Sequence, residues 1–543
     1  MRRILIPALL ALAWAAPAAA AAAGPPPVAT FTPAFATGGV SWTVGGIPDL
    51  DQLRAEGDAA IPGLPNDGRN HCAPTGSADV LALLATRGFR TGVDGRIDYA
   101  APESYAAAVA EINDLAVEMG TDENSGTLMP DYTRVLRSRT SGGAVLRSVQ
   151  VDSVRYFGGR ELRSPTLREF VDVGLAGGVM IATFGWYGSA SDANGTYLRR
   201  NGGHVVAMTH VEARRPGFRS GDIAFRDPWT NGVRDRVQSP YADDTHSVQE
   251  GTQRVEQTVA GTATVVDIDL IAMTDRSGGY LEGYVALSPQ RYWLADGNRL
   301  VRVTPGPLLP GDPPEDRVPL PDGAADVSLS PRTGLPTVLG RKGTIRRIGA
   351  GAKGERLPSD VVATVRGATA IAEGRHGELY VAAGAALVRI APDAQRLTAK
   401  AGAPIIDLVV TEAGIAALAA DGRRILRFDE QLKPTGQQRL AKAATGLDTG
   451  PKGEVVPRAA AGGGPALRDD QGRLVALVDG RLTVGGKPAL KGGKPLTGTL
   501  VAVDRSAEIS DRAFYAKPFD TTIDTPLPAP PPLQQPPLPA PPQ

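Results

Sequence analysis

An α+β domain followed by an all-β repeat domain is the fold class this 543-residue sequence predicts. Three observations carry it. The only cysteine opens a stretch with helical spacing, a glycine-led run of Val and Ala carries a histidine, and short apolar strands recur after about residue 279.

Taken in order, Arg2 and Arg3 precede an alanine-rich apolar run ending near Ala23, the pattern of a secretory signal peptide over 1–23. An exported chain, periplasmic or extracellular, is expected. No later stretch approaches the ~18 apolar residues of a membrane span. Acidic and basic residues number 58 each, so charge gives no case for nucleic acid or an anionic membrane as partner. With one cysteine no intrachain disulfide can form, and stability rests on packing.

Residues 28–60 read as an extended lead-in to a first domain over 28–272. Pro74 suits a first helical turn, Ala78, Leu81 and Ala85 share a face, and Gly88 is a stop signal, so a helix starts at Cys72. There, unpaired N–H groups and the helix dipole favour a thiolate. A second helix is expected from Glu103 to Met119, where Tyr105, Val109, Ile112 and Leu115 align. Asp122, Glu123 and Asn124 match no cation-loop spacing and read as solvated. Tyr132–Arg137 reads as a short helix, Val145–Phe157 as strands, Thr166–Asp172 as a helix and Thr262–Ala272 as strand again.

A nucleophilic thiol needs a base that can also return the proton, and histidine fits. Five histidines are available: His71, His204, His210, His246 and His376. His71 is too close in sequence to face Cys72. His204 opens a buried strand through Gly202-Gly203, whose lack of side chains would let the backbone approach the Cys72 helix; His210, on the same strand, ranks second. A second strand over Asp222–Arg226 ends in Asp227-Pro228, and antiparallel pairing would return Asp227 to the His204 end to orient the imidazole. Each motif alone also has a structural explanation: a buried cysteine, a strand start, a turn.

The order Cys72, Gly202-Gly203-His204-Val205-Val206, Asp227-Pro228-Trp229, with 132 residues from Cys72 to His204, resembles papain-like cysteine peptidases. Within them it is most similar to the bacterial double-glycine peptidases and their secreted relatives, over about residues 60–235. The resemblance implies an α+β papain-like domain and a polar amide at Asn66 that helps hold the oxyanion. The family more often has Gln at that position, and Gly where this chain has Ala73.

From Gly279 an apolar–Arg–apolar step recurs at Arg302, Arg347, Arg389 and Arg427, at intervals of 45, 42 and 38. A period near 40 without helical pattern marks a β-propeller, here of about six blades over 279–520. The repeated arginine reads as a solvated strand residue. A Pro-rich tail covers 521–543, expected as polyproline or disorder.

The expected function is an exported cysteine peptidase-like hydrolase acting on a peptide or protein substrate, with Cys72, His204, Asp227 and Asn66 as catalytic residues and the propeller binding substrate or partner. No cofactor and no metal site is expected. The alternatives are an inactive binding module of the cell envelope, and an acyltransferase or amidase acting on cell-wall peptides.

Overall fold

The structure, a computed structural model, describes residues 30–36, 38–54, 63–99, 101–141, 143–150, 165–229, 243–259, 262–304, 315–349, 359–449, 454–459, 466–491 and 494–509. The expected signal peptide and Pro-rich tail lie outside them. No helix among them is long and apolar enough to cross a membrane.

The fold class needs correction. With 51 % strand and four α-helices among the described residues, the molecule is mainly β, and the α+β papain-like domain is not what forms. The first part is organised by one ten-stranded sheet. Its strands are β1 (Thr30–Ala36), β2 (Gly39–Gly45), β3 (Ala144–Gln150), β4 (Val179–Asp192), β5 (Gly195–Arg214), β6 (Ser220–Arg226), β7 (Asp244–Val259), β8 (Thr262–Met273), β9 (Gly279–Pro289) and a last strand, Ala507–Ile509. The path β4–β5–β6–β7–β8–β9 returns to β4, so six strands close on themselves.

Long hairpins supply the unexpected strand content. β4 and β5 turn at Ala193-Asn194, with Asp192 opposite Gly195 and the Asn194 N–H donating to Asp192 Oδ1 at 2.8 Å. β7 and β8 stay in register from Val248↔Met273 to Val259↔Thr262. Backbone pairing runs the length of that hairpin, while Val255, Ile268 and Leu270 pack a small apolar cluster on one part of it.

The four helices are α1 (Cys72–Thr86), α2 (Tyr105–Met119), α3 (Met129–Thr140) and α4 (Leu167–Leu175); α1, α3 and α4 pack on this sheet, and α2 packs on α1 and α3. The buried stripe Ala108, Val109, Ile112, Leu115, Met119 of α2 ends at left-handed Gly120. In α4, Thr166 and Glu169 form a reciprocal capping box. The core joins Leu81 and Leu84 of α1 to Phe170, Val206 and Met208. Each such side chain contributes roughly 1.5–3 kcal/mol by leaving water.

One buried group works against this packing. Asp79 on α1 is fully buried, with Oδ1 accepting the Leu50 N–H at 3.2 Å. Burial, and then the neighbouring Asp49 charge, push its pKa well above the usual carboxylate range. The folded chain therefore keeps a proton that the unfolded chain releases, and stability falls as pH rises above that range. Asp79→Asn keeps the acceptor without the charge. It is expected to raise the urea midpoint at pH 7, and the gain should vanish as pH falls toward 4.

After β9 come four-stranded antiparallel sheets over 326–364, 368–400, 405–439 and 466–488, with a two-stranded sheet over 444–459. A further blade is composite: three strands over 292–319 are completed by Leu500–Val503, which pairs with Tyr292–Asp296. The first strands stand side by side, Asp326–Leu329 next to Ala368–Glu373, then Ile405–Thr411, then Ala444–Thr449. Leu500–Val503 lies beside both Asp326–Leu329 and Ala466–Arg468. This is a β-propeller-like arrangement. Side chains stitch neighbouring blades: Asp326 Oδ2 accepts the Ile371 N–H at 2.8 Å, and Asp407 Oδ2 accepts the Leu447 N–H at 2.7 Å. The four repeated arginines each lie on the third strand of a blade, counted from the strand beside the neighbouring blades. They are not simply solvated. Arg302 is buried and donates to the Leu175 carbonyl at 3.2 Å, and Arg347 pairs with Glu373 at 3.3 Å.

β9 lies beyond residue 272 and belongs to the first sheet, pairing with β3, β4 and β8. The chain leaves that sheet at β9, builds the blades, and returns as Ala507–Ile509 parallel to β3. The propeller is thus an insertion in the sheet rather than a following module. Its arginines grip α4 at both ends. Arg332 binds the Glu169 carboxylate through Nε and Nη2 at 2.8 and 2.9 Å, while Arg302 and Arg291 donate to the carbonyls of Leu175 and Gly177.

Candidate active site

Cys72 is the first residue of α1 and is partly exposed. Its N–H has no acceptor within the helix, and the positive end of the dipole points at the thiol. The preceding loop is held tightly. Buried Gln52 donates from Nε2 to the carbonyls of Gly68 and Arg69 at 3.0 and 2.8 Å, and its own N–H donates to the Pro228 carbonyl at 2.7 Å. Gly68 has φ +75°, and a Cβ there would lie 1.7 Å from the Gln52 carbonyl oxygen, so only glycine fits. One residue, through its side chain and its backbone, thereby fastens the loop before Cys72 to the loop after Asp227. Gln52 carried no signal in the sequence, where it sits in an unpatterned lead-in.

His204 lies on β5 opposite Phe184 of β4. β6 runs antiparallel to β5 with Ala207 opposite Arg226, which brings Asp227 back beside the histidine. His204 Nε2 is 2.6 Å from Asp227 Oδ1, and both residues are buried. The same carboxylate oxygen accepts the Trp229 N–H at 2.8 Å, fixing its orientation. The Cys72 thiol lies near enough to act on the imidazole and favour its protonated form. Since Nε2 is taken by Asp227, Nδ1 is the nitrogen left for sulfur.

Burial alone would lower the His204 pKa, but Asp227 and then Cys72 outweigh it and lift it to about 10. Asp227 moves the other way: burial would raise it, and the imidazolium holds it below the usual range. Around neutral pH this is a buried imidazolium between a carboxylate and a sulfur.

Asn66 goes elsewhere. It is exposed, adopts φ 50°, and donates from Nδ2 to the Glu123 carbonyl at 2.9 Å. His71 is buried as the residue capping α1, and desolvation lowers its pKa. His210 Nδ1 meets Thr43 Oγ1 at 2.8 Å, and His246 stacks on Phe225, so neither joins the thiol. His376 belongs to a blade turn, its N–H donating to Glu378. The glycine pair does not serve the α1 contact, which Gly76 makes against Val205. A Cβ on Gly203 would instead strike the Arg200 guanidinium, which binds Glu282 at 2.8 and 2.9 Å. Among the described residues no group of three His, Cys, Asp or Glu is placed to hold a metal ion.

No family model matches the chain, and no curated protein matches it. The double-glycine peptidase resemblance therefore finds no support, and the mainly β architecture argues against it. Among solved structures the chain is similar to a protein of unknown function from Bacteroides caccae, at 9 % identity and TM-score 0.24 over 38 % of this chain and 72 % of that one. It is also similar to a streptogramin B lyase, at 8 % identity and TM-score 0.27 over 56 % of this chain and 98 % of that one. Neither likeness assigns an activity.

Proposed function

We propose that the chain is an exported thiol hydrolase acting on a peptide or amide bond. The observation that carries this reading is the His204 ring bonded to the Asp227 carboxylate, with the Cys72 thiol at the start of α1 near enough to act on the ring. The Cys72 sulfur attacks the carbonyl carbon, forming a C–S bond and an oxyanion. The Cys72 N–H, free of any helical partner, donates to that oxyanion. The His204 imidazolium gives its proton to the leaving nitrogen as the C–N bond breaks. Neutral His204 then takes a proton from water, whose oxygen displaces sulfur and releases the acid. Asp227 orients the ring throughout. The propeller blades beside α4 bind substrate or a partner. Export rests on the N-terminal sequence, Arg2 to Ala23.

A second reading, a binding module without turnover, is favoured by Asn66, whose amide nitrogen is engaged by Glu123 rather than directed at Cys72. Alkylation by iodoacetamide separates the two, because one cysteine gives one signal. Cys72 is expected to react at least about tenfold faster than in His204→Ala, as a thiol served by a neighbouring base should. Equal rates in the two proteins would leave the binding module as the reading.

A further inference from the structure

On the sheet face that carries His204, β4 and β5 continue with Trp186 opposite Gly202, two pairs beyond Phe184↔His204. Alternation along a strand puts Trp186 on the same side as Phe184, and hence as His204. On its other flank Trp186 faces Gly279 of β9, where a Cβ would come within 2.9 Å of the indole. Two glycines thus leave the ring room to lie down, and both Trp186 and the neighbouring Gly202 reach solvent. The Arg276 guanidinium lies over that ring at 4.4 Å from its centroid. Trp229, on the other side of Asp227, is 38 % exposed.

Arg276 is not consumed by the acids near it. Asp227 is bonded to His204 and the Trp229 N–H, and Asp243 pairs with Arg226 at 3.3 Å. Asp244, opposite Phe225 in the β6–β7 register, is driven toward its neutral form by burial and then by the Asp227 charge. Among the described residues the Arg276 guanidinium makes no ion pair and no hydrogen bond, and it acts on Asp227 and Asp244 only through its charge. A cation held over an aromatic ring on the sheet face that carries His204, and partly open to solvent, is built to meet an anion arriving with the substrate.

Building on the thiol hydrolase reading, we propose that Arg276, presented on Trp186, recognises a carboxylate beside the scissile bond, so that the site takes anionic acyl substrates in preference to neutral ones. Arg276 is a binding residue here and takes no part in proton transfer.

Iodoacetate and iodoacetamide test this on the intact chain. Both form the same C–S bond at Cys72 as iodide leaves, and they differ by the carboxylate. The ratio of their rates, iodoacetate over iodoacetamide, is expected to fall about fivefold or more in Arg276→Gln, to stay closer to wild type in Arg276→Lys, and to shrink with added salt in the wild-type protein. A ratio that Arg276→Gln leaves unchanged, or that salt leaves unchanged in the wild type, overturns the proposal. The thiol reading is judged separately, on the iodoacetamide rate and its response to His204→Ala, where no carboxylate is involved.

Discussion

Between pH 6.5 and about 10 the wild-type protein is expected to lose stability that Asp227→Asn never has. His204 has its pKa lifted to about 10 in the folded chain, against 6.5 for the unperturbed group. The folded state therefore holds a proton that the unfolded state gives up as pH rises past 6.5. The contribution is complete below pH 6.5 and is gone once pH passes the folded value. Its size is on the order of 5 kcal/mol, and it is one interaction seen from two sides, so the lowered Asp227 adds no second share. An asparagine at 227 preserves the shape but carries no charge to hold the imidazolium. Urea unfolding at half-unit pH steps checks this. The gap between the two proteins should be widest near pH 6 and close toward pH 10. A constant gap would mean that His204 is neutral throughout and that Asp227 acts by hydrogen bonding alone.

Arg332→Ala is expected to cost about 3–5 kcal/mol, the range for stripping one partner from a buried ion pair. Arg332 is 1 % exposed and meets both carboxylate oxygens of Glu169. Without it the buried carboxylate loses both guanidinium hydrogen bonds. Glu169 cannot turn away freely, because its Oε2 also accepts the Thr166 N–H in the α4 capping box. Adding Glu169→Gln should recover part of the loss, since an amide needs no counter-ion and can still cap the helix. Denaturant unfolding of the two single variants and the double variant reads the coupling. Additive losses would show that the pair is not coupled across the two halves of the molecule.

The groups that meet at His204 are each legible from local signals. Pro74 and the spacing behind it mark the start of α1, and the Val-rich run after Gly203 marks a strand. Asp227-Pro228 ends the next strand, and short antiparallel neighbours bring their ends together. The repeated step at Arg302, Arg347, Arg389 and Arg427 is legible for the same reason, since each blade is a local unit. What the sequence hides is long-range or polar. β7 buries little beyond Val248 and Val255, so its twelve-residue register with β8 leaves no apolar alternation to read. Trp186 to Gly202 is too polar to announce a strand for the same reason. Helix signals therefore weighed too heavily against strands that hold by backbone pairing, and an α+β domain was expected where a mainly β one forms. Asn66 illustrates the other limit. Its distance from Cys72 in sequence says nothing about the Glu123 carbonyl, which lies 57 residues away and takes its amide.

The strand Leu500–Val503 carries a consequence for biosynthesis. Its partner Tyr292–Asp296 leaves the ribosome long before it does, and until then that strand presents an unpaired edge. The ring of blades closes only when almost the whole described chain has been made, and Ala507–Ile509 zips onto β3 just after. A nascent chain stalled anywhere in the blades holds an open, adhesive rim, so this protein should depend on holding factors during synthesis more than its compact final form would indicate.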